Sequence, residues 1–444
     1  MRFGLDFGTS NTALAAYDGD RVSVLPLDPI AGESMPTVLY VRRDGSTLVG
    51  RSAVDAFLAD NAARGPIKRE FKLLGIRMAS SDKEQPTVEA HILTDLSSPG
   101  RLFQSLKTFL GDPLLVPTNV FGDAKGLSDL IAIVLEHVRA RAKELTGTYP
   151  DDVTFGRPVE FVGGPEVEER ALGRLEDAAR LAGFRAVRFE REPVAAARAA
   201  EVGEGTTLVF DFGGGTLDLC LVQRSGGDLE VLATAGVDVG GDRMTQMLID
   251  DVVAPRLGSR AEWGPKRLRL PAFVVNAIGD WRALSALNEK ALLDALDDLI
   301  REAAAGSPDG GAPPPRRELR ALRSAIELQL GYEIFAAADR VKCDLSDVAQ
   351  RALTFHRAEV DVDALVTRRR FELRIAPLLR RIDAVIDEAL SRAACRADKV
   401  EAIVCTGGSS AVPAARALLA QRFPTAQLRD MARFSGVAAG LALS

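Results

Sequence analysis

Only four cysteines and three histidines occur in 444 residues. Cys220, Cys343, Cys395 and Cys405 are widely separated and form no CxxC pair, which excludes a disulfide framework and a thiolate metal site. The expectation is that they are buried small apolar residues. His91, His137 and His356 show no HExxH spacing, so neither a histidine zinc site nor a Ser-His-Asp triad is supported. No GxxxxGK[ST] stretch occurs, which removes the P-loop proteins. There is no basic excess either: a formal charge of -6 offers no field for nucleic acid or an anionic membrane surface, so neither is expected as a partner. Apolar runs are short of membrane-spanning length, as where Arg416 interrupts the segment after Cys405. The opening MRFGLDFGTS puts Asp6 and a glycine turn where a secretory signal needs unbroken apolar residues, so no export signal and a cytoplasmic location are expected.

What is present is ample core material. At 47% hydrophobic and 27% charged, the chain reads as globular, and its length suggests two or more folded units. Residues 2–7 and 12–17 read as strands joined by a glycine turn at Gly8, Thr9, Ser10 and Asn11, and a second turn at Asp18–Asp20 leads into Val22–Leu25, making an antiparallel meander. Helical spacing predicts helices over Leu127–Lys143 and over Val167–Leu181, the latter capped by Gly183, with a strand at Val153–Phe161 between them. The opening pattern then returns: strand Thr207–Phe212, glycine turn Gly213–Gly215, strand Leu217–Val222. The words DFGTS and DFGGGT, about two hundred residues apart, suggest two halves on one plan, most simply two facing lobes. Residues 306–315, GSPDGGAPPP, predict an exposed loop. Glu318–Ser346 and Arg368–Ala394 read as long helices, and Val400–Thr406 as a buried strand followed by Gly407, Gly408 and a helix from about Val412. The runs Arg368–Arg370 and Arg380–Arg381 read as a solvated helix face, because Glu372, Asp383 and Asp387 interleave with them. Trp263 and Trp281 read as packing residues.

A glycine turn lets consecutive backbone N–H groups point at phosphate oxygens, and an acid just before it is placed to hold hydrated Mg²⁺. One DFG alone is an ordinary hairpin signal. Two copies in matching settings, with a third Gly-Gly after a buried strand, point beyond a turn.

LDFGTSNT, DFGGGTLD and IVCTGGSSAVP resemble the first phosphate, second phosphate and adenosine segments of the actin, sugar kinase and heat-shock protein 70 superfamily. AGFRAVRFEREPVAAA, VDVGGDRM and AADRVKCDLS extend the likeness to the heat-shock protein 70 nucleotide-binding domain over essentially the whole chain. The resemblance implies an α/β, two-lobed actin-like ATPase fold, built from duplicated ribonuclease H-like domains around a central nucleotide cleft. The boundaries expected are 1–205 for lobe I, 206–400 for lobe II with an inserted subdomain around 255–335, and 401–444 as an adenosine segment returning to lobe I. No residues remain for a peptide-binding domain, so a shorter, YegD-like branch is expected.

The resemblance also implies roles. Thr9, Ser10 and Asn11 beside Gly8 would contact phosphates, as would Gly213, Gly214, Gly215 and Thr216. Asp6, Asp211 and Glu192 would hold Mg²⁺, mainly through water. Lys107 would meet the γ-phosphate or attacking water, with Lys72 the rival, and Asp218 would be a further reaction-centre carboxylate. Gly240 and Gly241 would also bind the nucleotide, and Asp339, Lys342, Ser346, Gly407, Gly408 and Ser409 would line the ribose and adenine end. The bland readings stay open: a solvated surface lysine for Lys107, a helix N-terminal charge for Glu192. Cys343 and Ala411 stand where the family places arginines against the adenine, which leaves base preference open. The function implied is an ATP/ADP- and Mg²⁺-binding ATPase that acts as a chaperone or protein-interaction switch with a protein partner or client. A small-molecule kinase, an actin-like filament protein and a non-hydrolysing pseudo-ATPase are the alternatives.

Overall fold

The computed structural model describes residues 1–64, 69–79, 87–95, 97–159, 161, 164–200, 202–226, 228–305, 312–431 and 436–444, with backbone alone for 69–79, 87–95, 282, 285 and 286. Two sheets organise the chain. In the first, β1 (Arg2–Phe7), β2 (Asn11–Tyr17) and β3 (Val22–Val24) form the antiparallel meander, and Asp152–Arg157 and Ala186–Arg191 extend β1 in parallel on the other side. In the second, Gly205–Phe212, Leu217–Ser225 and Asp228–Val237 form the meander, and Val400–Thr406 and Gln427–Asp430 add in parallel. The two strand orders are the same, which is the structural form of the repeated DFG plan: the chain has the two-lobed α/β architecture of an actin-like ATPase.

Alternation is weak in these strands because both faces of each sheet are covered. Leu5, Phe7 and Leu14 are fully buried in the first, as are Val209, Phe210 and Phe212 in the second. Helix α1 (Arg51–Ala62) packs against the strand Val38–Arg42, and helices α2 (Leu127–Thr146) and α3 (Pro165–Leu181) cover the outer face of the first sheet. Between the sheets lie α4 (Glu192–Ala199) and the C-terminal helix Gly436–Leu443. Their small residues set the spacing: a side chain at Gly4 would collide with the backbone of Ala442, and one at Gly440 with the carbonyl of Ala195. Of residues 401–444, the strands thus join the second sheet and the final helix packs on the first.

Several expected elements change on folding. The region Glu318–Ser346 is two helices, Arg316–Glu327 and Gly331–Asp344, parted where Gln329 takes a left-handed φ of 54°. The strand expected to reach Phe161 ends at Arg157. Residues 306–311 of the expected loop lie outside the described residues. Cys220 and Cys405 are buried as expected, but Cys395 is half-buried and Cys343 exposed. The arginines of helix Arg368–Arg392 do not simply face solvent: Arg370 and Arg374 grip the buried Asp251, and Arg381 pairs with Asp238. Trp263 and Trp281 are buried packing residues. Among the described residues, no helix is long and apolar enough to cross a membrane.

Candidate nucleotide site

The two glycine hairpins have one backbone geometry. Gly8 N donates to Asn11 O at 2.9 Å, and Gly213 N to Thr216 O at 3.0 Å. They also face each other across the lobes. A side chain at Gly214 would run into the Ser10 hydroxyl, and one at Gly215 would come to 2.8 Å of Thr9 Oγ1. The first helix of lobe II after the meander, α5 (Gly241–Val252), starts directly behind the second hairpin. Gly241 N and Asp242 N donate to the carbonyls of Gly213 and Gly214 at 3.1 and 2.8 Å, and Gly240 leaves no room for a side chain against Gly214. The Gly407 turn closes the third side: a side chain at Gly407 would collide with the Phe212 carbonyl, and Ser409 Oγ donates to Gly213 O at 2.8 Å. Lys342 Nζ reaches Gly241 O at 3.2 Å and Asp339 Oδ1 at 2.5 Å, and Thr245 Oγ1 donates to the same carboxylate oxygen at 2.9 Å. Burial works against the Asp339 carboxylate, but Lys342 and the hydroxyl hold its pKa below the ordinary value. Gly408 opens the short helical turn Gly408–Ala411 beside this group.

Between the hairpins the acids converge. Glu192, buried at the start of α4, accepts from Lys107 Nζ at 2.5 Å. The solvated reading of Lys107 therefore does not hold. Burial alone would depress the Lys107 pKa, yet Glu192 and Asp6 together push it up. Asp6 is pushed up to about 7, first by burial and then by the Glu192 charge. Asp218 rises to about 7 for the same two causes, although the Val159 amide and the Thr216 hydroxyl bond it at 2.8 and 2.9 Å. Asp211 is raised well above its ordinary range by burial, then by Glu192, Asp218 and Asp6. Two buried carboxylates, Glu192 and Asp218, two half-buried ones, Asp6 and Asp211, and one lysine form a strongly under-neutralised set, and hard oxygen donors of this kind fit a divalent cation such as Mg²⁺ held through water. The facing hairpin amides beside them fit phosphate oxygens.

Not every expected residue joins the group. Ser346 stands beyond the end of its helix with its carbonyl held by Arg368 at 3.2 Å, and no contact among the described residues ties its hydroxyl to the cleft. The Lys72 side chain lies outside the described residues. Cys343 is exposed as a residue, although desolvation of its thiol by the surrounding chain and then the Asp339 carboxylate push its pKa up.

Other residues went unrecognised in the sequence. The Val159 amide that bonds Asp218 has no side-chain signature. Gly156 gives Glu192 its place, since a side chain there would come to 2.9 Å of Glu192 Cγ. Ser105, in a left-handed φ of 55° just before Lys107, donates to Asp242 across the lobes at 3.4 Å. The acid after the glycine pair at Gly240 was the available signal for Asp242. On another surface, His356 lies 2.7 Å from Asp361 and 3.4 Å from Asp363, an exposed trio in which Arg317 already pairs with Asp361.

The family model described as "Hsp70 protein" matches residues 2–257 and 327–444. The chain belongs to the Hsp70 family. Curated family relatives agree. "Chaperone protein HscA" of Pectobacterium carotovorum subsp. carotovorum is 26% identical over 450 residues, covering 100% of this chain and 57% of that protein. "Chaperone protein dnaK" of Cyanidioschyzon merolae is 24% identical over 427 residues, covering 94% of this chain and 56% of that protein. An HscA of Salmonella agona is 30% identical over 251 residues, covering 56% of this chain and 36% of that protein. The chain thus spans little more than half the length of the family members it matches most fully. Residues 258–326, which carry both tryptophans, lie outside the family match.

Proposed function

We propose that this Hsp70-family chain is a cytoplasmic, Mg²⁺-dependent ATPase whose lobes close on ATP and report the nucleotide state to a protein partner or client, in the manner of a chaperone switch. The observation that carries the reading is the meeting of Thr9 and Ser10 with Gly214 and Gly215, together with the Lys107–Glu192 pair on which Asp6 and Asp218 act. The amides of Gly8–Asn11 and Gly213–Thr216 would hold the phosphates. Mg²⁺, when bound, neutralises phosphate charge and orients its oxygens. Asp6, Asp211 and Glu192 would hold the ion's water shell. Lys107 would meet the γ-phosphate, and its pairing with Glu192 keeps its ammonium fixed and charged. Asp218, held by two hydrogen bonds and with a pKa near neutrality, is suited to orient the attacking water and accept its proton. Little covalent chemistry is asked of the protein in phosphoryl transfer, so fixed placement accounts for most of the rate. Gly240, Gly241, Asp339, Lys342, Gly407, Gly408 and Ser409 would line the ribose and base.

Calorimetry with ATP and Mg²⁺ tests this on the wild type and Asp211→Ala. Metal-dependent binding should weaken on the order of 10–100-fold in the variant, the range for losing a group that acts through the metal's outer shell. Absence of binding in both proteins would refute the reading.

A further inference from the structure

The segment that carries Lys107 is held from behind by arginines that no functional role has so far used. Lys107 lies in the short helical turn Leu106–Phe109, which leads into Leu110–Asp112. A helical turn ends in carbonyls that lack internal partners. Here Arg174 of α3 aims Nη1 at three carbonyls of this stretch, Phe109 O at 3.1 Å, which also accepts from Asp112 N, Leu110 O at 2.8 Å and Asp112 O at 2.8 Å. Arg170, one helical turn earlier, takes the fourth, Gly111 O, at 3.0 Å. All four consecutive carbonyls from Phe109 to Asp112 are thereby fixed to one helix. The seam is tight as well: a side chain at Gly111 would strike Val167, so the segment cannot slide along α3 without opening the contact. Arg174 pairs with no carboxylate among the described residues, so its charge is directed wholly at this carbonyl fan. At its other end the turn is held by strained Ser105 and by the Lys107–Glu192 ion pair.

We propose that Arg174, assisted by Arg170, is a positioning residue for hydrolysis: it fixes the Lys107 turn so that the ammonium stays on the reaction centre. This rests on the ATPase reading above. Misplacement of a catalytic group by an ångström costs up to about a hundredfold in rate. Arg174 touches neither phosphate nor base in this arrangement, so its loss should fall on kcat and spare nucleotide affinity.

The test compares Arg174→Ala, Arg174→Lys, Lys107→Ala and the Arg174→Ala, Lys107→Ala double variant. It reads single-turnover ATP hydrolysis, the calorimetric Kd for ADP with Mg²⁺, and amide hydrogen exchange. Arg174→Ala should lower the hydrolysis rate by about 10–100-fold with Kd changed less than about twofold. Arg174→Lys should recover part of the loss. In the Lys107→Ala background the arginine change should cost nothing further, because both act through one group. Exchange should rise at 106–112 and stay unchanged at 130–138 of α2. An additive loss in the double variant, or exchange raised equally in both segments, overturns the positioning role. A wild type that hydrolyses nothing sinks the ATPase reading, and the exchange pattern then still decides whether Arg174 holds the turn.

Discussion

The two hairpins share a backbone and differ in chemistry. Across the first ladder Asp6 faces Ala13, and across the second Asp211 faces Asp218. The space that holds an acid in lobe II is filled in lobe I by a small residue packed under the C-terminal helix, with Ala13, Ala15, Ala438 and Ala442 in one cluster. Lobe I compensates with groups from elsewhere in its fold, Lys107 and Glu192, whose charges act on the lobe II acids Asp211 and Asp218. On the proposed reading, duplication yields a symmetric grip for phosphate, while the ionisable groups are divided unequally between the halves. Neither lobe alone carries a complete site.

The largest expected effect breaks the comparison through pH. Asp6 and Asp218 have folded pKa values of about 7 against an ordinary 3.8. Between those values the folded protein binds more protons than the unfolded chain, so without metal its stability falls as pH rises from about 4 to about 7. The slope is at most about 1.4 kcal/mol per pH unit for each group. Mg²⁺ favours the ionised carboxylates, so its stabilising increment should grow across the same window. Thermal midpoints with and without Mg²⁺ check this; a flat difference between the two curves would contradict it.

Placing an acid where lobe I lacks one is the next step down. Ala13→Asp would bury a further carboxylate directly across the ladder from Asp6, at an expected cost of about 3–5 kcal/mol in urea unfolding. Unchanged stability would mean that the lobe I ladder has room and counter-charge that its packing does not display.

A smaller effect separates the hairpins' own stability from their meeting. A methyl at Gly8 presses on the carbonyl of Asn11 within its own turn, whereas one at Gly214 presses on Ser10 of the other lobe. Gly8→Ala should therefore lower unfolding stability by about 1–3 kcal/mol, the usual range for overpacking. Gly214→Ala should leave stability nearly intact and weaken nucleotide binding by about tenfold, equivalent to about 1.4 kcal/mol, and Ser10→Gly should restore it. No rescue by Ser10→Gly would mean that the lobes do not meet at these residues.

Much of the fold, including the two glycine hairpins, was legible in the sequence because their signals are local. Asp-Phe-Gly followed by strand residues specifies a hairpin, and its recurrence specifies the second one. The pairing of Lys107 with Glu192, 85 positions apart, was reachable only through likeness to a family. What escaped notice depends on tertiary neighbours. The Val159 amide on Asp218 is backbone, and Gly156 matters only because Glu192 crosses it. The break at Gln329 has no proline, and its one local sign is Gly331 at the start of the next helix. The arginines of Arg368–Arg392 alternate with acids on their own helix, yet they bond Asp251 and Asp238 from distant elements, which no helical spacing encodes. At the base end, the exposure of Cys343 is likewise a property of the cleft rather than of its neighbours in sequence.

The most direct test of the account is a crystal structure with ATP and Mg²⁺. The account predicts one triphosphate between Gly8–Asn11 and Gly213–Thr216, with the metal's water shell on Asp6 and Asp211 and Lys107 turned to the γ-phosphate. A nucleotide bound on another surface, or phosphates touching only one of the two hairpins, would contradict it.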